Sequence, residues 1–178
     1  WNRASRLEEI GRPFQPFQPG PDNLEALLLY PALAPLGETN LSIGVGTDRA
    51  YGWVGAPWMD ALKVAELLNR QDVPGIRFGA RARRPVSGAF AQQNCAGVDL
   101  LVVDRSKIHT QRVGLEIGCA LRRLYPEQWR WAEWSSSFQD APTARALQRN
   151  PGPVEIEAAW QPGLTEFRRH RQPYLLYK

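Results

Sequence analysis

The sequence predicts an α+β fold: a single compact domain in which a small mixed sheet packs with several helices. Stretches with apolar residues at helical spacing alternate with a few separated strand-like stretches, a pattern typical of this class. The length of 178 residues suits one domain, and a hydrophobic content of 43% is sufficient for a sizeable core. We expect this domain to cover residues 23–178, after an extended arm or interdomain connection over residues 1–22.

The arm is predicted from its prolines. The motif Phe-Gln-Pro occurs at 14–16 and again at 17–19, with further prolines on both sides. Prolines at this density exclude a helix interior and favour an extended polyproline path, which Phe14 and Phe17 would pin to a surface. A second interpretation is a ligand for a proline-recognising domain. Because the chain starts at Trp1 with neither methionine nor a signal-type segment, we expect it to be processed or part of a longer protein.

The helices are predicted from apolar spacing, capping residues and proline breaks. The first begins at an Asp22 cap, with Glu25 three residues later, and ends near Pro31–Pro35, where proline removes helical hydrogen bonds. The others, in chain order, are Asp60–Arg70, Gln111–Tyr125, Thr143–Arg149, Val154–Trp160 and a last helix that starts near Pro162.

The strands are predicted from alternation and from apolar runs between turns. Residues 75–84 alternate between an apolar face and a basic face, and Ala96–Asp104 is apolar enough for the centre of the sheet. The predicted apolar face consists of Ile76, Phe78, Ala80 and Ala82. Shorter strands are predicted at Tyr51–Val54 and Tyr174–Tyr177. Trp129 and Trp131 fit either a strand alternating into the core or a ligand platform with Trp134.

The charge distribution argues against nucleic acid as a partner. A net charge of +4 is mild, and no aromatic residues are interleaved with the basic strand face. That face fits either an anion site or a solvated strand surface. Its residues are Arg77, Arg81, Arg83 and Arg84.

Metal, cofactor and membrane functions are not indicated either. Cys95 and Cys119 lie far apart, and His109 and His170 are isolated, so we predict no metal site and no cofactor. Cys119 falls on the apolar face of a helix and is expected to be a buried free thiol, although a disulfide stays open. No apolar run approaches the ~20 residues of a membrane span.

The most informative stretch is the glycine-rich segment, Gly37–Trp58. Glycines alternate there with short hydrogen-bonding side chains, and Tyr51, Trp53 and Trp58 provide flat apolar surfaces. Polar groups beside aromatic faces suit a sugar ring, which has hydroxyl edges and apolar C–H faces. The alternative is a structural loop whose polar side chains satisfy its own backbone.

Several motifs in register resemble the NamZ family, formerly DUF1343 and including YbbC-like proteins. These are exo-β-N-acetylmuramidases that act on peptidoglycan fragments. The resemblance covers nearly all of Asn23–Tyr177. Its main motifs are Asn40–Ser42, Gly44–Asp48, Gly55–Trp58, Cys95–Val98, Leu121–Pro126 and Pro173–Tyr177.

The resemblance implies the C-terminal domain of a peptidoglycan glycoside hydrolase, which helps to form a cleft for non-reducing-end N-acetylmuramic acid. It also implies a partner, an N-terminal Rossmann-like domain with the catalytic glutamate, and a periplasmic or extracellular location. We expect no full catalytic set in this chain alone, and Glu38 is its one catalytic candidate. The implied substrate-binding residues are Glu38, Thr39, Asn40, Ser42, Gly44, Gly46, Thr47 and Arg49. The alternative is a non-catalytic cell-wall carbohydrate-binding domain that uses the same segment.

The segment departs from the family pattern at two places. The family order Glu-Gly-Thr-Asn is Gly-Glu-Thr-Asn here, which moves the carboxylate to Glu38. The family arginine between two glycines is Val45, so a guanidinium fork for the lactyl carboxylate of muramic acid is lost. We expect Arg49 or the basic face of residues 77–84 to compensate.

Overall fold

The computed structural model describes residues 2, 5–6, 8–16, 20–138, 140–149 and 151–176, and within these ranges it confirms the α+β class. The six helices of these ranges are α1 (Leu24–Gly37), α2 (Ala61–Arg70), α3 (Thr110–Leu124), α4 (Trp131–Ser137), α5 (Ala141–Gln148) and α6 (Pro153–Arg171). The strands are β1 (Trp53–Ala56), β2 (Ile76–Arg83) and β3 (Cys95–Val102). Short 3-10 turns occur at Glu8–Ile10 and Gln172–Tyr174.

The sheet has the order β1-β3-β2, which confirms the central position of β3. It is antiparallel throughout, and the prediction of a mixed sheet is wrong in this respect. The reason lies in the connections. Helix α2 crosses over between β1 and β2, but β3 is inserted between these two strands and runs opposite to both.

One face of the sheet packs against α1, α2 and α3 to form the core. Leu29 and Leu33 of α1, Leu68 of α2, Val98 of β3 and Ile117 of α3 are fully buried in one cluster. The opposite face carries Trp53, Asp99 and the arginines of β2. It lies beside the glycine-rich segment, which therefore reaches a charged surface of the sheet.

Helix α1 differs from the prediction at both ends. Its N-cap is Asn23, whose side-chain oxygen accepts the amide of Ala26 at 2.8 Å, and not Asp22. It continues through Pro31 and Pro35 to Gly37. The lost backbone hydrogen bonds are outweighed because the same helix buries Leu29, Leu33 and Leu36 in the core on both sides of Pro31 and Pro35.

The C-terminal region also differs. The two helices predicted at Val154–Trp160 and from Pro162 are one helix, α6, with Pro162 inside it. The predicted final strand is wrong for its described part, because Tyr174 ends a 3-10 turn and Leu176 is not in a strand. Tyr177, like Phe17 and Trp1, lies outside the described residues.

Two further strand predictions need correction. Trp129 lies in a turn and Trp131 begins α4, so neither is in a strand, although Trp129 is buried in the core. In β2, Ala80 and Ala82 are exposed, contrary to the alternation. Helix α2 covers only the first half of this strand, where Asn69 clamps both backbone groups of Phe78 at 2.8 and 3.0 Å.

Both cysteines are free thiols; Cys95 is buried, whereas Cys119 is only partly so. Burial raises the pKa of the Cys119 thiol to about 11. In the described ranges no helix combines the length and apolar character needed to cross a membrane.

Candidate functional site

The glycine-rich segment has a fixed backbone. Residues 42 and 55 exchange two backbone hydrogen bonds of 2.9 Å, and the amide of Tyr51 donates to the carbonyl of Ile43 at 2.9 Å. Gly44 and Gly46 have φ values of +82° and +78°. A Cβ at 44 would lie 2.2 Å from the carbonyl oxygen of Arg49, so only glycine is compatible with this geometry.

Two predicted site residues hold the segment onto the chain before α4. The buried hydroxyl of Thr39 donates to the carbonyl of Leu36 at 2.7 Å and accepts the indole N–H of Trp129 at 2.9 Å. The Asn40 amide donates to the carbonyl of Gln128 and accepts the amide of Arg130, both at 2.8 Å. Both side chains are therefore engaged in intramolecular hydrogen bonds, which are buried at Thr39 and exposed at Asn40.

Thr47 and Arg49 are engaged in the same way. The Thr47 hydroxyl donates to the carbonyl of Gly44 at 2.7 Å and accepts the amide of Arg49 at 3.1 Å. The Arg49 guanidinium donates to Glu25 at 2.8 Å and to the carbonyl of Leu100 at 3.1 Å. These bonds support the interpretation of a structural loop for both side chains.

The two remaining polar residues predicted for the site differ in exposure. Glu38 follows the end of α1, and its side chain is exposed to solvent. Ser42 is 1% exposed, and its hydroxyl has no hydrogen-bond partner among the described residues. Of the two, Glu38 alone is directly accessible to a ligand.

A second loop, which joins β2 to β3, crosses the glycine-rich segment. The amide of Val86 donates to the carbonyl of Gly46 at 2.8 Å. The loop is closed at its base by Arg84, whose Nε donates to the carbonyl of Gln92 at 2.8 Å. We call the surface made by residues 44–48 and 84–88 the two-loop surface. Sequence reasoning missed this juxtaposition, because the two stretches are about 40 residues apart in the chain.

The arginines of β2 and the adjacent Arg84 differ in how far their guanidinium groups are available to bind a ligand. The Arg83 side chain is 10% exposed and forms 2.9 Å ion pairs with Asp48 and Asp99. The hydrogen bond from Arg83 lowers the pKa of Asp48. Arg77 pairs with Asp72 at 3.0 Å. Arg81 and Arg84 keep guanidinium donors exposed beside the second loop.

The aromatic residues also separate into structural and accessible groups. Trp53 is fully buried, and its indole N–H donates to the carbonyl of Arg81 at 2.9 Å. Trp58 is partly buried against Tyr125, with ring centroids 5.1 Å apart, as expected for a structural residue. Tyr51 packs edge-on against Tyr30 of α1, and this pair remains partly open to solvent.

A large groove lies elsewhere on the described part of the chain. Its volume is about 1280 Å³, and it is lined by the α2–β2 turn and by residues of α3, α5 and α6. The glycine-rich segment does not line it. Of its charged residues, Arg112 is already paired with Glu116 and Glu157 at 2.8 and 2.7 Å. No group of three or more potential metal ligands occurs among the residues that the structure describes.

Comparisons of the sequence and of the fold with known proteins indicate the same family. Residues 28–177 match the family described as exo-beta-N-acetylmuramidase NamZ, C-terminal. The chain is 29% identical over 180 residues to the peptidoglycan beta-N-acetylmuramidase NamZ of Bacillus subtilis, covering 99% of this chain and 44% of that protein. The chain thus spans less than half the length of this relative.

Two crystal structures of DUF1343 family proteins from Bacteroides fragilis share the fold. One aligns with a TM-score of 0.83 at 25% identity, covering 100% of this chain and 49% of that one. The other aligns with a TM-score of 0.65 at 21% identity, covering 92% of this chain and 44% of that one.

Proposed function

This chain belongs to the family of NamZ C-terminal domains, and on that premise we propose that it helps a peptidoglycan glycoside hydrolase to form the cleft for non-reducing-end N-acetylmuramic acid. The matched relative is itself a peptidoglycan β-N-acetylmuramidase. This chain spans only 44% of that relative. We therefore propose that it positions the sugar and does not by itself catalyse the reaction. The catalytic glutamate is assigned to an N-terminal Rossmann-like partner domain.

The observation that carries the proposal is the fixed shape of the glycine-rich segment. Buried or backbone-directed side chains hold it from one side, and the second loop holds it from the other through Val86 and Gly46. A surface that is already ordered loses little conformational entropy when a ligand binds. In this proposal Thr39, Asn40, Ser42 and Thr47 position the segment, whereas Glu38 contacts sugar hydroxyls directly.

Arg84 is the best candidate to bind the lactyl carboxylate. It lies at the base of the second loop, which crosses the segment next to Val45, where the family pattern has arginine. Its Nε–H donates to the carbonyl of Gln92, and the residue is exposed, so the guanidinium can still reach a ligand. Arg49 and Arg83 are less suitable, since acidic partners already neutralise both.

A second candidate function is a non-catalytic cell-wall carbohydrate-binding domain. The observation in its favour is the partly exposed pair of Tyr30 and Tyr51, since open aromatic rings are suited to the C–H faces of sugars. The two functions differ in turnover. The protein that includes the N-terminal half should release N-acetylmuramic acid if the first is correct and should only bind glycans if the second is correct.

An amide chemical-shift titration with the disaccharide MurNAc-GlcNAc tests the proposed site. We expect saturable shifts at Glu38, at residues 44–48 and along the second loop, residues 84–92. Arg84→Gln should weaken binding about tenfold, the loss typical of one charge-assisted hydrogen-bonding group. The matched control Arg77→Gln, in β2 and paired with Asp72, should bind like wild type. Absence of shifts at millimolar disaccharide would overturn sugar binding by this chain on its own.

A further inference from the structure

A second surface with ligand-binding character lies beside the glycine-rich segment. Tyr30 of α1 and Tyr51 of the segment have ring centroids 5.1 Å apart at an interplanar angle of 65°. Tyr30 is 40% exposed, and Leu27, one turn earlier on α1, is 37% exposed. The two rings and the leucine side chain therefore form a partly open apolar surface.

The backbone at Tyr51 is unusual. Its φ is +58°, a region in which a bulky side chain is strained and which glycine or asparagine adopts more readily. The hydrogen bond from its amide to Ile43 fixes this conformation. The consequence is that the Tyr51 ring is directed onto Tyr30. Strain of this kind is concentrated at sites where a specific side-chain position is needed.

A polar edge is supplied by the same two segments of chain. Glu25 of α1 and Arg49, two residues before Tyr51, form a 2.8 Å ion pair whose side chains are 31% and 32% exposed. One carboxylate and one guanidinium thus remain partly accessible beside the aromatic pair. A pyranose ring presents complementary chemistry: an apolar C–H face for the ring of Tyr30, and adjacent hydroxyls for the carboxylate and guanidinium.

We propose that Tyr30 and Tyr51, bordered by Glu25 and Arg49, form a platform that binds a second pyranose of a glycan, separate from the two-loop surface. This inference rests on the proposed function for the nature of the ligand, because that function makes a glycan the molecule at this side of the domain. It assigns the platform to an uncharged N-acetylhexosamine, since the guanidinium at its edge, Arg49, is already paired with Glu25.

The test uses chitotriose, an uncharged N-acetylglucosamine trimer, in amide chemical-shift titrations alongside MurNAc-GlcNAc. We expect chitotriose to shift the amides of Tyr30, Arg49 and Tyr51. Tyr30→Ala should weaken its binding about five- to tenfold, and Tyr30→Phe, which keeps the ring, should retain it. The control Tyr174→Ala removes a tyrosine that is 81% exposed elsewhere and should change nothing.

A second variant distinguishes a loss of binding from a folding defect. Tyr51→Asn removes the ring but tolerates positive φ, so it should weaken chitotriose binding while the backbone amide pattern of residues 42–55 is kept. The proposal is overturned if chitotriose shifts none of these amides, or if Tyr30→Ala binds it like wild type.

The same titrations separate the two proposals. One outcome is that MurNAc-GlcNAc shifts the amides of residues 44–48 and 84–92 while neither sugar shifts those of the platform. In that case the platform proposal fails and the proposed function stands. If chitotriose shifts the amides of the platform and the disaccharide shifts none on the two-loop surface, the platform proposal is supported. The proposed muramic acid site then fails.

Discussion

The indole N–H of Trp129 donates a 2.9 Å hydrogen bond to the hydroxyl of Thr39, a residue 90 positions earlier in the chain. Both side chains are buried, and the hydroxyl also donates to the carbonyl of Leu36 at 2.7 Å. One hydroxyl group therefore joins the end of α1, the beginning of the glycine-rich segment and the chain before α4. The segment is integrated into the core of the domain at this point.

Replacing Thr39 by valine should destabilise the protein without changing its shape. The variant leaves the Trp129 indole N–H buried without its acceptor, which costs about 1–3 kcal/mol of unfolding free energy. Urea denaturation measures this difference. Thr165→Val, an exposed substitution on α6, is the matched control and should stay within about 0.5 kcal/mol of wild type. Equal stability of the two variants would contradict the importance of this bond.

The ion pair between Arg83 and Asp99 should contribute more to stability than the pair between Arg77 and Asp72. The Arg83 and Asp99 side chains are 10% and 17% exposed, whereas Asp72 is 81% exposed. Asp99→Asn should cost about 2 kcal/mol, because it leaves a nearly buried guanidinium with only Asp48. Asp72→Asn should cost less than about 0.5 kcal/mol. Urea denaturation of both variants measures the two losses of unfolding free energy. Similar losses would contradict the prediction that the Arg83–Asp99 pair contributes more.

Two glycine substitutions should have opposite effects. Gly44→Ala places a Cβ 2.2 Å from the Arg49 carbonyl at a φ of +82°, which should cost about 2 kcal/mol or more. Gly163→Ala lies inside α6 with open space around it, so it should stabilise the helix by up to about 1 kcal/mol. Thermal unfolding followed by circular dichroism shows whether each substitution lowers or raises the stability. A stable Gly44→Ala variant would show that the segment tolerates another backbone path.

The carboxyl of Asp104 should titrate far below its usual range. Hydrogen bonds from the Ser106 hydroxyl at 2.6 Å and amide at 2.9 Å, with Lys107 at 3.2 Å, lower its pKa to about 2. A folded pKa below the usual 3.8 favours folding above about pH 4, and this contribution disappears as the pH falls through about 2. NMR titration of the carboxyl carbon measures the pKa. Ser106→Ala should move it toward 3.8, and Ser87→Ala should not.

Restoring a guanidinium at position 45 should strengthen sugar binding. Val45 is 37% exposed on the two-loop surface, so an arginine there has room to extend into solvent. If the proposed carboxylate contact is correct, Val45→Arg should tighten MurNAc-GlcNAc binding about three- to tenfold. It should leave chitotriose binding unchanged. Val154→Arg adds the same charge on α6 and serves as the control; equal gains from both variants would indicate a nonspecific charge effect.

Much of the fold could be predicted because it depends on local patterns. Helices α2 and α3 and the central strand β3 follow from apolar periodicity and flanking turns, and they occur close to the predicted limits. Helix α1 was predicted to end near its prolines, but burial of its leucines is a tertiary effect that local rules do not include. The same limitation explains α6, which continues through Pro162.

The candidate site was less accessible to prediction. The polar residues of the glycine-rich segment were identified, but their partners lie far away in the chain. Asn40 binds backbone groups 88 and 90 positions later, and the carbonyl of Gly46 binds Val86. A single sequence contains no record of such pairs. It therefore could not show that Thr39 and Asn40 bind groups of the chain before α4, or that the ring of Tyr30 contacts that of Tyr51.

The Asn40 clamp on residues 128–130 has a consequence for folding kinetics. The two bonds close a loop of about 90 residues, and closure of so long a loop is entropically unfavourable until most of the intervening chain is ordered. The glycine-rich segment should consequently reach its native shape late in folding, after α2, α3 and the sheet have assembled. Protection of the Arg130 amide in pulsed hydrogen exchange would report that last step.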